Sequence, residues 1–157
     1  MPEAAFRGGA AVTLAYLALY SILLTWQSAT KNRKRIAAKK RDEKVSCSPR
    51  EQHYYGNQDK DVVCADRTVG NFLEQALPFL VTFWLALASC GDSNCASVVY
   101  RGWAYVFFRA LYPVMWKAGG GGLGGVRPLI LVSTLPGYLL CYSFMYNIIR
   151  MLMSPKA

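Results

Sequence analysis

The chain has 157 residues, of which 54% are hydrophobic and only 17% charged, and it carries a formal net charge of +9. With a positive mean hydropathy, that balance lies outside the usual range of a soluble domain of this size. Four spans of about 20 residues leave little chain for a separate soluble domain and predict one domain over residues 1–157, an all-α four-helix transmembrane bundle.

The first predicted span runs from Gly9 to Thr30. Arg7 ahead of it and Ser28, Ala29 and Thr30 at its end give it some features of a signal peptide. A retained span is the better reading, because the apolar stretch is long for a signal-peptide core and a basic cluster behind it would hinder translocation. Lys31, Arg33, Lys34, Arg35, Lys39, Lys40, Arg41, Lys44 and Arg50 form that cluster. They predict a loop held on the cytoplasmic, stromal or matrix side of an endoplasmic reticulum or organelle membrane. Without interleaved aromatics the run reads as a topology signal or a contact with anionic membrane lipids, not as a nucleic-acid site. Between Lys31 and Lys44 there is neither Gly nor Pro, so this stretch either prolongs the first helix into water or forms a solvated loop.

From Glu51 to Asp66 no helical stripe is evident, and the segment reads as a loop. Asp66 is placed to cap the second helix, where a carboxylate accepts from the exposed amides of the first turn. His53, the only histidine, sits beside Tyr54 and Tyr55 and reads as a surface residue.

Val69 to Ser89 is the second predicted span, with Pro78 inside it as a kink. Arg67, Asn71 and Glu74 stand four and three residues apart at its mouth, on one helical face. An ionisable side chain in hydrocarbon costs about 2.5–3.5 kcal/mol even on the lenient insertion scale, so such a stripe faces protein, ligand or water. Beyond it, Cys90 and Cys95 flank a short turn where a disulfide and two free thiols fit equally well. The five cysteines make no metal-site spacing.

In the third span, Ser97 to Trp116, Arg101, Tyr105, Arg109, Tyr112 and Trp116 share one face, and Pro113 adds a second kink. Arg101 can snorkel from the boundary, whereas Arg109 lies deeper and needs a partner. In an antiparallel pair Glu74 matches its depth. A Glu74–Arg109 ion pair is one reading, a staple and nothing more. Arg67, Asn71, Gln75, Tyr105 and Tyr112 at similar depth support the other: a site for a small zwitterionic or anionic ligand. A glycine run, Gly119 to Gly122 with Gly124 and Gly125, then leads into the fourth span, Arg127 to Ile149. That run lacks the Lys-Ser/Thr pair and the preceding strand of a phosphate loop.

The run Arg67, Thr68, Val69, Gly70, Asn71, Phe72, Leu73, Glu74, Gln75, Ala76, Leu77, Pro78, Phe79 resembles the second-helix motif of the MAPEG superfamily, the membrane-associated proteins in eicosanoid and glutathione metabolism. Arg109, Ala110, Leu111, Tyr112, Pro113 resembles its third-helix motif, and with the spans and the basic first loop the likeness covers most of the chain. The resemblance implies a homotrimer that binds glutathione in clefts between neighbours. It implies that Arg67, Asn71, Glu74, Arg109 and Tyr112 contact the tripeptide and that Arg109 stabilises its thiolate for attack on a lipophilic electrophile. Some positions depart from the motif. The glycine run and Leu123 stand where leukotriene synthase-like members carry a further arginine. Trp116 replaces a second tyrosine, and Thr68 and Val69 replace an alanine and a histidine. Two functions stay open: a glutathione-dependent transferase or peroxidase, and a non-catalytic accessory subunit of a larger membrane assembly.

Overall fold

The described residues form four helices: α1 Glu3–Lys40, α2 Lys60–Ala88, α3 Cys95–Ala118 and α4 Pro128–Met153. The computed structural model describes residues 1–40, 59–90, 95–119 and 128–153. Cys47, His53, Arg127 and the glycine run beyond Gly119 lie outside the described residues.

Length explains α1. Its 38 residues span about 57 Å, nearly twice the ~30 Å hydrocarbon core of a bilayer, so the basic stretch from Lys31 continues as helix beyond the apolar part. Lys39 and Lys40 in its last turn complement the helix dipole.

α2 starts earlier than the sequence pattern predicts. Asp59 is the N-cap, and its carboxylate accepts from the amides of Asp61 at 2.9 Å and Val62 at 3.3 Å. Val62, Ala65, Val69 and Phe72 are all buried, so a stripe at steps of three, four and three carries the helix back through the expected loop. Asp66 is therefore not a cap. It is a buried side chain inside the helix that accepts from Gln27 Nε2 at 2.7 Å and pairs with Lys31 Nζ at 2.7 Å. Those contacts fasten the extension of α1 to the start of α2.

The helices stand at the corners of a rhombus whose short diagonal joins α2 and α3. α1 touches α2 and α3, α4 touches the same two, and α2 meets α3 across the diagonal, while α1 and α4 do not meet. α2 is the most enclosed: 39% of its most apolar stretch is buried, against 22% for α1 and α4. Aromatic rings fill the centre. Tyr16 stacks on Phe72 at 4.3 Å and donates its hydroxyl to the Phe72 carbonyl, and Phe79 lies flat on Tyr105 at 3.9 Å. On the outer face of α2, Leu73, Leu77, Val81 and Leu85 are exposed at steps of four, as a lipid-facing or subunit-facing stripe requires.

Three helices, α1, α2 and α4, are long and apolar enough to cross a membrane. α3 has 24 residues, enough to span, but Arg101, Arg109 and its tyrosines lower its apolar character. Pro78, Pro113 and Pro136 all lie inside continuous helices. At the end opposite the basic extension, a Cys90–Cys95 disulfide with Cα atoms 5.3 Å apart joins α2 to α3, which settles the thiol alternatives.

Candidate functional site

Arg109 projects from the middle of α3 into the bundle and is only 2% exposed. Its Nη1 donates to Asn71 Oδ1 at 2.6 Å, and its guanidinium carbon lies 5.1 Å from the centre of the Tyr105 ring. On the third side is Gly137 of α4. A Cβ there would stand 3.1 Å from Arg109 Nη2, so the glycine makes room for the guanidinium. A short polar seam runs beside it: the Tyr105 hydroxyl donates to the Gln75 carbonyl at 3.5 Å, and Gln75 Nε2 donates to the Tyr138 hydroxyl at 3.1 Å.

The expected Glu74–Arg109 ion pair does not form. Among the described residues no carboxylate lies within ion-pair distance of Arg109, and Glu74 is exposed. Depth was matched but rotation was not. At roughly 100° per residue, the step of three from Asn71 turns Glu74 back by about 60°, away from the buried side of α2 marked by Phe72 and Phe79. Asn71 reaches the core from the edge of that face; Glu74 looks outward.

The structure thus gathers Asn71, Gln75, Tyr105 and Arg109 and leaves the other predicted site residues around them. Arg67 is half-buried at the mouth of α2, on the same stripe as Glu74. Tyr112 packs in a separate cluster with Val63, Cys64 and Trp116, towards the basic end. Gly137 and Tyr138 complete the surroundings of Arg109. In the sequence Gly137 reads only as part of a kink, and nothing marks it as the wall of a cation site. Arg101 is tied to α4, its Nη1 3.0 Å from Ser143 Oγ and its guanidinium 5.3 Å over the Phe144 ring.

Chemically, Arg109 is a buried cation satisfied by one amide oxygen and one aromatic face. Its Nε and Nη2 have no hydrogen-bond partner within the described residues. Burying a charge without a counter-ion is costly, so the centre favours any anion that can reach it, and guanidinium geometry suits carboxylates and other compact anions. No group of His, Cys, Asp or Glu suited to a metal ion occurs among the described residues.

A family model described as the MAPEG family matches residues 10–146. No curated protein and no solved structure matches the chain.

Proposed function

Because the chain belongs to the MAPEG family of membrane proteins, we propose that it is a glutathione-dependent transferase or peroxidase acting on lipophilic electrophiles at the membrane. The supporting observation is Arg109 itself, a buried guanidinium held by Asn71, with no carboxylate partner among the described residues and with Nε and Nη2 unsatisfied there. A structural staple has no use for an unpaired charge. A thiol with an ordinary pKa of about 8.5 becomes a better nucleophile when a cation and desolvation favour its anion.

In this reading Arg67 takes a carboxylate of glutathione and Glu74 its ammonium, on the outward stripe of α2, in a cleft completed by a neighbouring copy in a homotrimer. Asn71 holds Arg109 for the thiolate, and Tyr105 and Tyr112 shape the walls. Access to Arg109 requires α2 and α4 to part at the Gln75–Tyr138 contact, an exposed hydrogen bond that costs little to open. The basic loop and the glutathione site face the cytoplasmic side or its organelle equivalent.

A second reading, a binding or accessory subunit without turnover, draws on one observation: Arg109 is only 2% exposed, enclosed by Asn71, Tyr105 and Gly137. The two separate in one experiment on the detergent-purified protein. Glutathione should raise its melting temperature, and a chloronitrobenzene-type electrophile should be consumed. Stabilisation without consumption selects the accessory role; neither effect overturns both.

A further inference from the structure

A second polar site lies at the basic end, between α1, α2 and α3, away from Arg109. Trp26, Thr30, Arg33, Lys34, Asp61 and Lys117 line a pocket of about 190 Å³. Trp26 and Lys117 are also walls of an adjoining groove of about 390 Å³, completed by Pro113, Val114 and Ala118. The pocket is rich in cations, and the groove beside it is apolar apart from the lysine. Within the pocket, Lys34 is held by Asp59 at 2.8 Å and Asp61 at 3.1 Å. Arg33 and Lys117 have no carboxylate partner among the described residues.

The position matches the chemistry. Arg33 follows the apolar part of α1, Lys117 is in the last turn of α3, and Trp26 stands one level deeper, where an indole marks the boundary of the hydrocarbon. A ligand that fills both spaces carries a negative head at the boundary and an apolar chain below it. We propose that this is a binding site for an anionic glycerophospholipid, its phosphate held by Arg33 and Lys117 and one acyl chain lying along Trp26, Pro113 and Val114. Lys34, already neutralised, serves to fix α1 against α2 and so to set the width of the pocket.

The test is lipid retention by the full chain in detergent micelles, read by native mass spectrometry. Phosphatidylglycerol and phosphatidylcholine with the same acyl chains are supplied together. The wild type should retain the anionic lipid preferentially. Arg33→Gln and Lys117→Gln should each weaken that retention about fivefold, the effect of one cation near a charged headgroup, while Lys39→Gln with Lys40→Gln, outside the pocket, leaves it unchanged. Trp26→Ala should lower retention of the chain-bearing lipid. Equal retention of the two lipids, an equal loss in the Lys39/Lys40 variant, or full displacement by inorganic phosphate at matched concentration would each overturn the proposal. The last result would identify a free-anion pocket with no lipid specificity.

Discussion

Arg109 Nη1 donates to Asn71 Oδ1 at 2.6 Å, so the buried cation of α3 is met by a neutral amide on α2 and keeps its full charge. Glu74, one turn further along α2, is exposed and plays no part in holding Arg109. The substitution Glu74→Gln should therefore leave stability within about 0.5 kcal/mol of wild type, as an exposed substitution does. Breaking a buried pair would instead cost about 3–5 kcal/mol. Denaturant melts in detergent measure the difference, and the same variant should bind glutathione more weakly by losing the ammonium contact.

Asn71 offers two opposite variants. Asn71→Leu removes the acceptor and should destabilise by about 1.5–3 kcal/mol, the range for a lost hydrogen bond to a charged group. Asn71→Asp supplies the missing carboxylate, so it should fold at least as well as wild type yet lose turnover, because the charge meant for the thiolate is already neutralised. Retained turnover in Asn71→Asp would argue against an anion-stabilising Arg109.

The glycines of the bundle separate packing from function. A Cβ at Gly102 would stand 2.7 Å from Phe83 Cε2 and 3.0 Å from Val12 Cγ1, both on fully buried side chains, so Gly102→Ala should cost about 1–3 kcal/mol by overpacking. At Gly137 the obstacle is the end of Arg109, 3.1 Å away, which can shift by a few tenths of an ångström. Gly137→Ala should therefore reduce turnover more than stability, read by comparing melts with rates.

The ion pairs between the α1 extension and the start of α2 set a pH dependence. Burial opposes ionisation of Asp59, but the Lys34 ammonium and the amides of Val62 and Asp61 outweigh it and hold the carboxyl below its ordinary 3.8. Hydrogen bonds to Asp59 and then Asp61 hold Lys34 above its ordinary 10.5. The Asp59 contribution is complete above pH 3.8 and is lost as pH falls through its folded value. The Lys34 contribution is complete below pH 10.5 and is lost as pH rises through its folded value. Stability from this cluster should be flat between those limits. Solvent screening keeps each limb under about 1 kcal/mol, and in pH-dependent melts Lys34→Gln should remove the alkaline limb and shrink the acid one, where the amides of Val62 and Asp61 still hold Asp59.

Hydropathy and proline placement made the bundle legible, because helices long enough to cross a bilayer leave a strong compositional trace. The polar stripe on α2 and the deep arginine on α3 were legible for the same reason. Their rotational phase was not: Asn71 and Glu74 share a face by spacing, and only the packing of Phe72 and Phe79 decides which of them turns inward. Asp66 reads as a cap in the sequence because an acidic residue ahead of an apolar run suits both a cap and a buried partner. Lys31 and Gln27, which claim it, are 35 and 39 residues away in the chain, beyond any local pattern. Gly137 carried no signal, since the need for a missing side chain appears only once Arg109 lies against it.

The most direct test of the proposed role of Arg109 is the ultraviolet difference spectrum of glutathione bound to the detergent-purified protein at neutral pH. A thiolate band should appear with the wild type at saturating glutathione and be absent with Arg109→Gln and Asn71→Asp. A folded wild-type protein that shows no thiolate band, or an Arg109→Gln variant that shows it undiminished, would contradict that role.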